Sequence, residues 1–166
     1  IGISGTGKSA LGCRLAEKTN LTLHQMDAMI WSPHWTETPE DSIHNALAKI
    51  ATTGRWIVEG WVDTYSRDVL RQSDIVLYLD YPGWLAACGG VQRWWRYKGK
   101  KRPEMPEGCA EGFDLRSLQE MMLRKERPHI EAVLEGMRGL NVIRVRSRRE
   151  SERVFAELVS RIIESV

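Results

Sequence analysis

The chain opens on Gly2-Ile3-Ser4-Gly5-Thr6-Gly7-Lys8-Ser9, which matches the pattern G-x-x-x-x-G-K-S/T in full. No other stretch constrains the fold as strongly. An apolar residue precedes it and a helical pattern follows it, so the motif sits between a strand and a helix rather than in a chance glycine turn. Glycines let the backbone curl until successive N–H groups point at one anion. The helix that follows adds the positive end of its dipole. On this pattern Gly2, Ser4, Gly5, Thr6, Gly7, Lys8, Ser9 and Ala10 are expected to cradle the phosphates of ATP. Lys8 then acts as a point charge on the β- and γ-phosphates, and the Ser9 hydroxyl sits on Mg²⁺.

The rest of the chain alternates strands with helices. Residues 9–18 read as a helix with Leu11, Leu15 and Ala16 on one face, and residues 21–26 as a strand. Thr38-Pro39-Glu40-Asp41 starts a helix striped by Ile43, Leu47 and Ile50 and ended by Gly54. Residues 56–58 form a short strand before Glu59-Gly60, 64–72 a short helix, and 75–79 a buried strand closed by Asp80 and Pro82. Residues 84–97 are helical. Residues 99–114, rich in Gly, Pro and charge, read as a mobile loop. A helical stretch over 115–136 breaks at Pro128, and 142–145 is the last strand. Ser147-Arg148-Arg149-Glu150 has capping-box spacing ahead of a final helix carrying Val154, Phe155, Leu158, Val159, Ile162 and Ile163. This alternation predicts an α/β fold with a parallel sheet covered on both faces.

With 166 residues, the chain fits a single domain over 1–166. No apolar run approaches the roughly 18 residues of a membrane helix, so no membrane partner is expected. The net charge of +2 excludes a surface that is basic throughout. Cys13, Cys88 and Cys109 are odd in number and widely spaced, which excludes a disulfide framework and a C-x-x-C zinc site. A reduced, cytoplasmic protein is the expectation. No signal-peptide pattern opens the sequence, and Ile1 in place of Met suggests that a short stretch precedes it.

The motif alone leaves several classes open. A GTPase would carry N-K-x-D, a helicase or AAA-type ATPase an apolar strand ending in Asp-Glu, and a protein kinase its own motif set. None is present. A small chain that begins with this loop and has a basic segment two-thirds along has the layout of a nucleotide or small-molecule kinase. In such a site Asp27, at the carboxyl end of the second strand, is placed to orient or deprotonate an acceptor hydroxyl, although Asp is also a common turn former. Arg93 and Arg96 share a helix face and would stabilise the transferring phosphoryl group, Arg93 touching ATP as well. Arg124 and Arg127 repeat that spacing and would enter from the other side. Flat aromatic walls at Trp31, Trp35 and Trp61 suit a planar substrate or, equally, a core, whereas Trp56 reads as core. His24 and His34 read as structural. The acceptor side is assigned to Asp27, Trp35, Gly60, Trp61, Arg67, Arg124 and Arg127.

Several further stretches carry a resemblance. They are His24-Gln25-Met26-Asp27 followed by Trp31, Pro33 and Trp35, then Trp56-Ile57-Val58-Glu59-Gly60, the run from Arg93 to Pro103, and Ser147-Arg148-Arg149-Glu150. Together with the glycine loop they make the chain resemble adenylate-kinase-related bacterial P-loop kinases, in particular the group labelled DNA topology modulation proteins. The resemblance implies a three-layer nucleotide-kinase fold whose five parallel strands, numbered along the chain, lie in the order 2-3-1-4-5. It also implies a short lid over 93–114, and adenine near Ser147 and Arg148. Such kinases carry Asp where this chain has Glu59. Glu59 would serve a magnesium water from one methylene further out.

The function these readings imply is ATP- and Mg²⁺-dependent phosphoryl transfer to a small nucleotide- or nucleoside-like acceptor, by a monomer or homodimer. The alternative is an ATP-binding protein that binds DNA and alters its topology, since basic residues alternate with Trp94, Trp95 and Tyr97. A nucleotide-binding regulator with little turnover is a third class.

Overall fold

A computed structural model describes residues 1–164. After the glycine loop, α1 (Lys8–Thr19) leads to β1 (Thr22–Gln25) and the short α2 (Met26–Ile30). A small antiparallel hairpin follows, β2 (Trp31–Ser32) and β3 (Thr36–Glu37), then α3 (Glu40–Ala51) and β4 (Trp56–Glu59). The chain continues through α4 (Arg67–Gln72), β5 (Val76–Leu79), α5 (Gly83–Tyr97), α6 (Leu115–Leu123), α7 (Arg127–Glu135), β6 (Val142–Val145) and α8 (Arg148–Glu164).

Two parallel ladders carry the fold. β1 pairs with β4, setting Gln25 opposite Glu59, and β5 pairs with β6, setting Leu79 opposite Val145. The first residues join the second ladder, for Leu79 N–H donates to the Ile1 carbonyl at 2.9 Å and Gly2 bridges Leu79 in parallel. The carboxyl ends of β1, β4 and β5 therefore deliver Asp27, Glu59 and Asp80, each within two residues of a strand end.

Local signals explain most elements. α3 opens on Pro39 with Glu40 and Asp41 in its first turn, and Ile43, Leu47 and Ile50 are its buried stripe, packed with Met26 and Val69. α8 buries Val154 and Leu158 among Leu79, Tyr81 and Val145, with Leu11 and Leu15 of α1 against them. α5 buries the small residues Gly83, Ala86, Ala87 and Gly90, and this brings it onto the glycine loop. A Cβ at Gly89 would stand 2.0 Å from the Gly5 carbonyl oxygen, and one at Gly5 2.1 Å from that of Ala86. Only glycine at both positions permits this approach.

Three expectations change. The strand expected over 21–26 stops at Gln25, because Met26 starts α2 and carries Asp27 into its first turn. The break expected at Pro128 falls earlier. Arg124 takes a left-handed conformation at φ 54 and ends α6, while Pro128 lies in the first turn of α7, where no N–H is needed. The segment 99–114, expected to lie open without ligand, is folded down. Met105 and Cys109 are buried, and Lys98 and Lys101 bridge to Glu111 and Ala110. Among the described residues, no helix is long and apolar enough to cross a membrane.

Candidate active site

The glycine loop faces a cavity of about 1670 Å³. Gly5 and Gly7 hold positive φ of 79° and 88°, so the loop turns sharply before α1 begins at Lys8. The Thr6 hydroxyl and the Lys8 ammonium both donate to the Ile3 carbonyl, at 2.8 and 3.1 Å. Lys8 is intermediate in exposure as a residue, but its ammonium end lies deep. Burial lowers its pKa from the ordinary lysine value, the charges of Glu59, Asp27 and Glu126 oppose that shift, and Arg93 adds to it. The charges of three carboxylates thus act on one ammonium, and a phosphate must compete with them for it.

Glu59 is only 7% exposed and accepts from the Gln25 amide at 3.2 Å, its register partner across the β1–β4 ladder. Gly12 lets α1 approach, since a Cβ there would lie 3.3 Å from the Glu59 Cγ. Ser9 lies in the first turn of α1 and lines the same cavity as Glu59. Among the described residues no three His, Cys, Asp or Glu side chains gather to hold a metal on their own. Mg²⁺ does not need such a cage, being bound through one or two protein oxygens plus substrate phosphates. The pair Ser9 and Glu59 fits that donor set.

Asp27 accepts from Arg102 at 3.0 Å. Arg102, 8% exposed, also meets Glu104 at 3.0 Å and Glu111 at 3.3 Å. Glu111 in turn binds Arg93 at 2.6 Å, and Arg93 donates to the Ser4 hydroxyl at 3.2 Å. The segment over the cavity is therefore stitched by acids at 104 and 111 that answer the basic run before them. A second seam joins it to the β2–β3 hairpin: His34 N–H donates to the Glu107 carbonyl at 3.1 Å and Trp35 N–H to the Cys109 sulfur at 3.3 Å. His34 and Trp35 both hold positive φ there.

The far side of the cavity is aromatic and acidic. Trp31 and Trp35 meet edge to face at 5.3 Å, and Trp61 stacks on His129 at 5.3 Å. Burial pushes the Tyr65 phenol up to about 12, reinforced by Asp63, Glu40, Asp27 and Glu37.

The cavity brings together Ser4, Gly5, Thr6, Gly7, Lys8, Ser9, Ala10, Asp27, Trp35, Glu59, Trp61, Arg93, Arg96 and Arg148. Gly2, Gly60, Arg67, Ser147, Arg124 and Arg127 are not on its wall. Gly2 makes a single parallel bridge to Leu79, and Gly60 holds φ 147° against Met26. Arg67 opens α4, and the Ser147 hydroxyl caps α8 by accepting from Glu150 N–H at 3.2 Å. Arg124 and Arg127 turn to Asp80, which is buried and also binds Arg144 at 3.2 Å. Glu131 links Arg127 and Arg144, at 2.9 and 2.6 Å. Sequence reasoning passed over Asp80, Glu111 and Glu126. Asp80 had the same signal as Asp27 and Glu59, a carboxylate just beyond a parallel strand. Glu111 and Glu126 had none beyond being acids near a basic run.

No protein-family model matches the chain, and no curated protein matches it. Among solved structures it is similar to a sugar kinase from Janibacter sp. HTCC2649 in an unliganded crystal structure, with TM-score 0.56 and 20% identity over 96% of this chain and 89% of that one. The chain has an α/β fold of helices and parallel strands like that of a kinase.

Proposed function

We propose that the chain is an ATP- and Mg²⁺-dependent phosphotransferase acting on a small hydroxyl-bearing acceptor. The observation that carries this reading is that one cavity collects the glycine loop with Lys8, two strand-end acids, Asp27 and Glu59, and Arg93. In this reading the two ladders lie side by side with residues 1–3 between them, giving the order 2-3-1-4-5, and 93–114 is the lid. The adenylate-kinase relationship, including the topology-modulation group, rests on the motifs.

The loop N–H groups and Lys8 hold the β- and γ-phosphates. Asp27 accepts the proton of the acceptor hydroxyl, whose oxygen bonds to the γ-phosphorus while the bond to the bridging oxygen breaks and ADP leaves. Arg93 and Arg96 supply guanidinium charge to the transferring group. Ser9 and Glu59 are the residues that would hold Mg²⁺ beside the phosphates, where it would supply charge neutralisation. The acceptor end carries Asp27, Glu37, Glu40 and Asp63 beside Trp31, Trp35, Trp61 and Tyr65. Among nucleotide- and nucleoside-like acceptors, that lining favours an uncharged nucleoside over a phosphorylated one. Pairing of Arg93, Lys101 and Arg102 with lid acids leaves less basic surface for a duplex, which weighs against the DNA reading.

The test is ADP release from ATP and Mg²⁺ against a panel of nucleosides, nucleotides and sugars, with Lys8→Ala in parallel. Acceptor-dependent ADP release that Lys8→Ala abolishes is expected. Equal turnover by a folded Lys8→Ala protein would falsify the reading.

A further inference from the structure

The glycine loop already holds an anion of the protein's own. Ser4 N–H donates to the Glu126 carboxylate at 2.8 Å, across 122 residues of chain. The same carboxylate is close enough to act on the Lys8 ammonium. Glu126 stands in the turn between α6 and α7, and both neighbouring arginines of that turn are fixed. Arg124 and Arg127 bind buried Asp80, Arg127 at 3.0 Å, and the left-handed backbone at Arg124 ends α6 so that the turn meets the loop. Carboxylate and phosphate oxygens make the same demand on a loop N–H, an anionic acceptor at hydrogen-bond distance.

We propose that Glu126 is an internal stand-in for phosphate. It occupies the Ser4 N–H when the cradle is empty and must withdraw for nucleotide to bind. The proposal rests on the phosphotransferase reading of this cavity. Its physical consequence is that ATP meets a cradle only fractionally free, so apparent affinity is reduced by that fraction. The Asp80 clamp sets the fraction, because it holds the turn that carries Glu126 against the loop. Any movement of the α6–α7 turn changes nucleotide affinity without touching nucleotide.

Calorimetric titration of the protein with ATP and Mg²⁺ tests this, on wild type, Glu126→Ala and Arg124→Ala. Glu126→Ala should lower Kd roughly tenfold. Loss of a negative charge near phosphate would also do this, so Arg124→Ala separates the two. It removes a positive charge, and electrostatics alone makes ATP bind more weakly. Release of the turn makes it bind more tightly, and Asp80 keeps Arg127 and Arg144 as partners. Amide exchange at Ser4 should be slow in wild type, faster in Glu126→Ala, and slow again once ATP is added. Wild-type ATP binding that is unimproved in Glu126→Ala, or weakened in Arg124→Ala, overturns the stand-in and leaves the phosphotransferase reading intact. Absence of ATP binding in all three proteins removes that reading and the inference with it.

Discussion

Lys8 and Asp27 are both ionisable groups whose partners define their chemistry. Asp27 is held in orientation by the Arg102 guanidinium, which donates to it at 3.0 Å. Asp27→Asn retains the shape and removes the base proposed for transfer. Turnover should fall by ~10²–10⁴ with ATP affinity unchanged, and a parallel loss of ATP affinity would place Asp27 among the nucleotide's own contacts. The Lys8 ammonium is disfavoured by burial, so its pKa lies below the ordinary 10.5. A bound phosphate favours the ammonium and raises that value again. Between the two values binding takes up a proton, and ATP affinity therefore strengthens as pH falls from 10.5 toward the lowered value. Calorimetry in two buffers of different ionisation enthalpy measures this uptake. Proton release on binding would show that Lys8 does not face the phosphates.

At the scale of elements, the folded segment 98–111 depends on Arg102 and the glycine loop on α5. Arg102→Met leaves Asp27, Glu104 and Glu111 without their common cation. That segment should lose about 3 kcal/mol of local stability, in the range for breaking a buried ion pair. Hydrogen exchange over 98–111 reads it directly, and unchanged protection there would mean that the Met105 and Cys109 contacts hold the segment by themselves. The α5 contact is steric. A Cβ at position 89 meets the Gly5 carbonyl at 2.0 Å, so Gly89→Ala must push α5 or the loop aside. Nucleotide binding should be lost well before the fold, as seen by ATP titration beside circular dichroism. Wild-type ATP affinity in this variant would mean that the loop adapts freely.

Across the molecule, Asp80 ties three parts of the chain into one end of the sheet: β5 itself, the α6–α7 turn through Arg124 and Arg127, and β6 through Arg144. Asp80→Ala leaves three guanidinium groups facing one another with Glu131 as their remaining anion. The expected loss is ~3–5 kcal/mol, which for a chain of this length lowers Tm by roughly 10 °C. Asp80→Asn, which keeps an acceptor oxygen, should lose less. A thermal midpoint unchanged by Asp80→Ala would reduce the cluster to surface pairing.

The positions of the glycine loop, of the α3 stripe Ile43, Leu47 and Ile50, and of Glu59 at a strand end were legible in the sequence, while Asp27 falls just past its strand, in the first turn of α2. Each depends on spacing within a few residues or on the end of one strand, and such signals are local. Tertiary structure alone decided the rest. Whether 99–114 lies open or closed turns on Glu111 reaching back to Arg93 and Arg102, and on Cys109 meeting a hairpin 74 residues away. Arg124 and Arg127 have the spacing of a phosphate-binding pair, yet a buried carboxylate at position 80 claims them, and no periodicity within α6 or α7 records its presence. Glu126 on Ser4 is a further case, a contact over 122 residues that exists because two distant turns meet. Charge pairing acts through space, so the sequence supplied the charges and only the fold chose their partners.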